Sequence, residues 1–187
     1  MKSALTFSAL SMFLAFGCAA PTGESEIESD ADNVETDSVS QAQNAPTVCS
    51  FQTINGRYLG AVCGGGRTTD VLHTDATRVG SWEKFTLVDP GEGSPIPYGF
   101  MTKTGHYLSA VGGGGRITDV MHSDAASYNA WERLTLVSQG GGYYAIQTVD
   151  GHYLTAVGGG GRITDTIHSD ATRIGAWEKF RVTCGLR

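Results

Sequence analysis

Apolar and polar residues alternate in short runs along most of this chain, and the runs recur. Phe51-Gln52-Thr53-Ile54, Phe100-Met101-Thr102-Lys103 and Ile146-Gln147-Thr148-Val149 each run into a turn signal, Asn55-Gly56, Thr104-Gly105 or Asp150-Gly151. A period of two puts neighbouring side chains on opposite faces of a strand, and Asn-Gly and Asp-Gly accept the positive φ that a tight hairpin demands. A second strand follows, as in Tyr107-Leu108-Ser109-Ala110-Val111, and then a glycine run, Gly112 to Gly115 or Gly158 to Gly161, that predicts a tight loop. The chain resumes as Arg116-Ile117-Thr118-Asp119-Val120-Met121-His122-Ser123-Asp124, matched by Arg67 to Asp75 and Arg162 to Asp170. Alternation turns Leu72, Met121 and Ile167 inward and His73, His122 and His168 outward. Each unit closes on Trp-Glu-x-Phe or Trp-Glu-x-Leu. The apolar closing strand predicts core packing for Trp82, Trp131 and Trp177, in preference to stacking on a sugar. No segment sustains a period of 3.6 residues, and glycine is too frequent for helices of any length.

These runs form one unit written three times, with Tyr58 and Trp82, Tyr107 and Trp131, and Tyr153 and Trp177 each 24 residues apart. A single short unit cannot bury its apolar face alone, so three equal units predict one threefold object. Three units of four short strands predict an all-β fold, the β-trefoil: a six-stranded barrel closed at one end by three hairpins. The repeats are placed at about 49–93, 94–141 and 142–187. Three blades are too few for a propeller.

The N-terminus reads differently. Lys2 precedes an apolar run that ends at Cys18, the pattern of a secretory signal. Leu14-Ala15-Phe16-Gly17-Cys18 resembles a bacterial lipobox, which implies cleavage after residue 17 and a diacylglycerol on Cys18; an ordinary signal peptide cut after Ala19 or Ala20 is the alternative. Export to the cell envelope, either lipid-anchored at the surface or secreted, is the expectation. Between Ala19 and Val48 lie seven acidic residues, no Lys or Arg and no aromatic residue. Such a stretch buries too little apolar surface to fold, so residues 18–48 are expected to be a disordered acidic tether. The chain's net charge of −6 resides there, since Cys49–Arg187 carries equal numbers of acidic and basic residues. A neutral domain without a basic patch gives no electrostatic reason to bind nucleic acid.

Cys49 and Cys184 bracket the repeats, where a closed barrel brings its first and last strands together, and a disulfide between them is expected. Cys63 stands in the slot that Gly112 and Gly158 fill in the other copies.

The combination Gly-x-Tyr-Leu-x-Ala, glycine-rich loop and Trp-Glu-x-Phe, seen in three registers, resembles the fascin-like β-trefoil repeat over nearly all of Cys49–Arg187. The resemblance implies the trefoil fold. It leaves function open among actin cross-linkers, carbohydrate-binding modules of secreted glycosidases and bacterial surface proteins.

Candidate chemistry gathers in the third segment of each unit: Arg67, Asp70, His73 and Asp75; Arg116, Asp119, His122 and Asp124; Arg162, Asp165, His168 and Asp170. Carboxylates and imidazoles suit sugar hydroxyls, and three weak equivalent sites would gain affinity by multivalency. The same residues can instead pair with the arginines and hold the glycine loop in shape. A His₃ metal site on the threefold axis is the third possibility, although Asp and His on opposite faces of a strand would not converge. His106, His152 and Arg57 read as solvated hairpin residues. No nucleophile, base and carboxylate are ordered as a catalytic set, and enzymes concentrate one asymmetric constellation where binding modules repeat a site. The expected function is therefore non-catalytic, lectin-like binding of surface or extracellular glycan by a monomer, with no cofactor and no metal. A protein-interaction or inhibitory trefoil acting through the link from Asp89 to Tyr98, and a structural surface protein, are the alternatives.

Overall fold

The computed structural model describes residues 47–89 and 97–186. The signal segment, Cys18, nearly all of the tether and most of the Asp89-to-Tyr98 link lie outside the described residues. The first unit contributes β1 (Thr47–Gln52), β2 (Tyr58–Ala61), β3 (Leu72–Ala76) and β4 (Phe85–Val88). The second contributes β5 (Gly99–Met101), β6 (Tyr107–Ala110), β7 (Met121–Ala125) and β8 (Thr135–Gly140). The third contributes β9 (Tyr143–Gln147), β10 (Tyr153–Ala156), β11 (Ile167–Ala171) and β12 (Phe180–Cys184). β1 starts ahead of Cys49: Thr47 and Val48, assigned by composition to the tether, pair with Leu87 and Thr86.

Six strands close a ring. β1 pairs with β4, β4 with β5, β8 with β9, β9 with β12, and β12 returns to β1. The remaining joint, between the β5 and β8 strands, is made by Tyr98 and Leu134, whose backbone groups exchange hydrogen bonds of 2.8 and 3.1 Å. β2–β3, β6–β7 and β10–β11 form the three hairpins. This is the β-trefoil that the triplication predicts.

Each barrel strand sends one large apolar side chain to the centre: Phe51, Phe85, Phe100, Leu134, Ile146 and Phe180, all at most 1% exposed. Phe51 stacks on Phe100 at 4.9 Å and meets Phe85 edge-on at 5.7 Å. A second layer comes from the hairpins, through Leu59, Leu108 and Leu154 and the expected inward set of Leu72, Met121 and Ile167. Cys49 lies opposite Cys184 in the β1–β12 register, and the two form the expected disulfide.

The glycine runs are more than tight loops. Each makes one 3₁₀ turn (Val62–Gly64, Val111–Gly113 or Val157–Gly159) and then enters the next repeat. Thr104 N donates to Gly64 O at 3.0 Å, Asp150 N to Gly113 O at 3.2 Å and Asn55 N to Gly159 O at 3.2 Å. Further along, Ser123 and Arg67, Ser169 and Arg116, and Thr74 and Arg162 bond through their backbones at 2.8–2.9 Å. Every loop therefore clasps the following repeat, and the third clasps the first. Cys63 adopts the same left-handed conformation, φ 56°, as Gly112 and Gly158 at 67°.

The glutamate of the Trp-Glu pair is an internal brace. Glu178 accepts from Thr155 Oγ1 at 2.8 Å and from Gly175 N at 2.7 Å, and Glu132 accepts from Ser109 Oγ and, at 2.7 Å, from Asn129 N. In the first unit Gly60 stands where Ser109 and Thr155 stand, so Glu83 accepts from Gly80 N at 2.7 Å without a hydroxyl partner on β2. Removing a buried acceptor strands its donors, and hydrogen bonds to a charged group contribute about 1.5–3 kcal/mol. Glu178→Ala is expected to cost about 2–3 kcal/mol and Glu83→Ala about half of that, read as shifts of the urea midpoint at unchanged slope.

Candidate functional site

Each Arg-Asp-His set folds into one compact cluster. Asp70, Asp119 and Asp165 all take φ 49°, a conformation that Asp tolerates far better than bulkier residues. That left-handed kink lifts the aspartate out of strand alternation and turns its carboxylate back toward the histidine. His73, His122 and His168 Nε2 lie 2.7, 2.9 and 2.7 Å from Oδ1 of their aspartates. The other carboxylate oxygen faces the guanidinium, at 3.7, 3.4 and 3.3 Å from Arg67, Arg116 and Arg162. Nε of the same arginines donates to the carbonyls of Thr69, Thr118 and Thr164 at 3.1–3.2 Å, tying the turn to its own side chains.

Two expectations change here. Asp and His do converge within one repeat, because the aspartate lies in a turn before the strand and not on its opposite face. Asp75, Asp124 and Asp170, named with them, are exposed on β3, β7 and β11, and none of the hydrogen bonds or ion pairs that build the clusters among the described residues uses them. Among the described residues no three His, Cys, Asp or Glu side chains gather as metal ligands, so the three histidines do not meet on the axis.

The clusters surround an open depression of about 580 Å³ that the three repeats share. Its walls include Val71, Val120, Leu72, Met121 and Ile167, and its outer lining includes Thr68 and the exposed Ile117 and Ile163. Asp70, Asp119 and Asp165 also line it. Both oxygens of each carboxylate already face a partner in the same turn, so the geometry is that of a brace around the mouth.

The tryptophans overturn the expectation of core packing. Trp82, Trp131 and Trp177 are 43%, 50% and 48% exposed. Their backbone carbonyls accept from Ala61, Ala110 and Ala156 N at 2.9 Å, which pins the segment while the neighbouring glutamate goes inside and the ring stays out. Sequence alternation missed this because the residues between β3 and β4 are turn, where period two carries no information.

The ring of Trp82 stands at the seam between the first and second repeats. A methyl group on Gly64 would lie 3.5 Å from Trp82 Cδ1 and 3.2 Å from Lys103 Cβ, so the first unit's tryptophan and the second unit's hairpin tip flank one buried glycine. Beside Trp131 is a hollow of about 200 Å³ lined by Asn129, Ala130, Trp131 and Glu132. The residues read as solvated hairpin positions also belong to the seams: His106, His152 and Arg57 lie against Gly66, Gly115 and Gly161 of the preceding loop.

No protein-family model matches the sequence, and no curated protein matches it. Solved structures do. The designed threefold-symmetric protein ThreeFoil matches at a TM-score of 0.60 and 16% identity, over 73% of this chain and 97% of that one. The Rhizoctonia solani agglutinin matches at 0.59 and 13%, over 76% and 98%. SeviL, in a structure bound to asialo-GM1 saccharide, matches at 0.53 and 15%, over 74% and 98%. Two larger proteins match over a part of their length: the chain spans 16% of a mosquitocidal holotoxin and 30% of 1,3Gal43A, an exo-β-1,3-galactanase from Clostridium thermocellum. At these identities the likeness is one of fold.

Proposed function

We propose that this chain is a non-catalytic carbohydrate-binding trefoil whose sugar contacts are made at Trp82, Trp131 and Trp177. The observation that carries this reading is the half-exposure of all three indoles at equivalent positions of the repeat in an otherwise well-packed domain. Tryptophan is on average a deeply buried residue, and its flat face suits the apolar C–H face of a sugar ring. Three such platforms on one body suit a polysaccharide, because linked weak sites gain avidity without new contacts. The saccharide-bound SeviL and the agglutinin, which share the fold, support the same reading. Under it the Arg–Asp–His clusters brace the turns that lead into β3, β7 and β11. The fascin-like character of the repeats and a lipid on Cys18 that anchors the module at the cell surface belong to the same proposal and rest on the sequence. Intact-mass measurement of the mature N-terminus tests the anchor.

A glycan array combined with pull-down on insoluble polysaccharides tests the function. The wild-type chain is expected to bind, the Trp82→Ala/Trp131→Ala/Trp177→Ala variant to lose about 100-fold in apparent affinity, and each single variant several-fold. Folding of the triple variant, checked by circular dichroism, is expected to be intact because the rings lie outside the core. Binding kept by the tryptophan variant but lost on Asp70→Asn/Asp119→Asn/Asp165→Asn would move the site to the clusters. A folded wild-type chain that binds no glycan would end the proposal.

A further inference from the structure

The three seams share a tryptophan but not a neighbour. Lys103 occupies the hairpin slot held by Ile54 and Val149 in the other copies, and all three residues are exposed. Their packing role is common. Ile54 Cγ2 would lie 3.0 Å from a methyl group on Gly159, as Lys103 Cβ and Cγ would lie 3.2 and 3.4 Å from one on Gly64. The lysine stem thus does the covering that isoleucine does elsewhere, and a long stem of this kind carries its ammonium out to water. None of the ion pairs formed among the described residues uses Lys103.

The rest of each tip sharpens the difference. In the second unit the tip is Lys103-Thr104-Gly105-His106, with Thr104 Oγ1 donating to Gly64 O at 3.1 Å and lying 3.1 Å from His106 Nδ1. It carries a fixed positive charge and no carboxylate. The third unit's tip places the Asp150 carboxylate 2.8 Å from a methyl position on Gly113, which puts negative charge in the seam between the second and third repeats. The first unit's tip presents Asn55, whose Nδ2 donates to Gly158 O at 3.0 Å, while Arg57 lies at the far end of that loop against Gly161. Trp82 and the stem of Lys103 therefore flank the same glycine, Gly64, whereas the equivalent Gly113 has the Asp150 carboxylate beside it and Gly159 the Asn55 amide.

We propose that the seam between the first and second repeats is an anionic-sugar site, in which Trp82 stacks on the ring and Lys103 pairs with its carboxylate or sulfate, while the other two seams take neutral sugars. The proposal rests on the carbohydrate-binding reading above and adds the ligand class of one of its sites. Lysine meets such a group as a point charge, so attraction is expected to weaken as salt rises.

Titration calorimetry of the full chain with an oligogalacturonate, a sulfated galactan oligosaccharide and the neutral galactan oligosaccharide tests this. Wild type is expected to bind one of the acidic probes at one site per chain, at least 10-fold tighter than the neutral probe in low salt; which acidic probe does so separates carboxylate from sulfate. Lys103→Ile, which keeps the aliphatic cover found at Ile54, is expected to abolish that preference. Ile54→Lys, which puts a lysine in the equivalent slot of the first unit's tip against Gly159, is expected to raise the acidic stoichiometry from one to two. Neutral binding without any acidic preference, or a preference that survives Lys103→Ile in the folded variant, overturns this inference and leaves the lectin reading standing. No binding of any of the three probes overturns it, and the lectin reading fails with it if the array is also blank.

Discussion

Gly114→Ala is expected to destabilise the domain by about 3–5 kcal/mol, from a single added methyl group. The backbone there takes φ 119° and ψ −163°, a region essentially reserved for glycine, and holding another residue in it costs of order 1–3 kcal/mol. The new Cβ would also meet Thr148 Oγ1 at 2.3 Å and Thr148 Cβ at 2.9 Å, across the seam between the second and third repeats. Overpacking of a close contact adds about 1–3 kcal/mol. Gly65 against Thr102 and Gly160 against Thr53 repeat the arrangement at 2.2 and 2.3 Å, so Gly65→Ala and Gly160→Ala are expected to cost the same. Gly105→Ala is the control. It shares a positive φ, 82°, but a methyl group there meets nothing within 4 Å, and its cost is expected to stay near 1–2 kcal/mol. Adding Thr148→Ala to Gly114→Ala is expected to recover less than half of the loss, since the threonine's own Cβ remains in the way. Urea denaturation of wild type and these five variants measures this. Equal midpoints for Gly114→Ala and Gly105→Ala would show that the loop does not clasp the next repeat.

Cys49→Ala/Cys184→Ala is expected to cost up to about 5 kcal/mol, the loop-closure entropy of a long ring. The bridge joins residues 135 apart and sits where β1 meets β12, so it closes nearly the whole folded chain. The backbone pairs Ser50–Thr183, Phe51–Val182 and Gln52–Arg181 remain without it. The variant is therefore expected to fold to the same barrel and unfold at a lower midpoint. For a domain of this size total stability is about 7–20 kcal/mol, so the loss is large enough to read by calorimetry at any pH where the protein is soluble. A midpoint within 2 °C of wild type would mean that the unfolded chain already holds its ends together.

Much of the barrel was legible because its determinants are local and repeated. Strand alternation at Phe51, Phe100 and Ile146, the Asn-Gly and Asp-Gly turns and the inward Leu72, Met121 and Ile167 follow from rules that act within a few residues. The site was less legible. Asp70, Asp119 and Asp165 were placed on the wrong side of their strands because a left-handed aspartate leaves no mark in the hydrophobic pattern. The tryptophans were placed in the core because size and apolarity outweighed the glutamate beside each of them, whose buried bonds to Ser109 and Thr155 join residues 23 apart.

Periodicity, turn chemistry and composition are properties of the chain, and they suffice for three equal β units closing one barrel, a disulfide between its ends and a net negative charge carried by residues 19–48. Only the tertiary structure decided what the glycine runs and the tryptophans are for. A glycine demanded by its own turn and one demanded by a threonine of the next repeat are the same letter, and the difference exists only once two repeats meet. The exposure of an indole is likewise settled by packing, here by the next residue's carboxylate turning inward to a hydroxyl 23 residues away, Ser109 or Thr155.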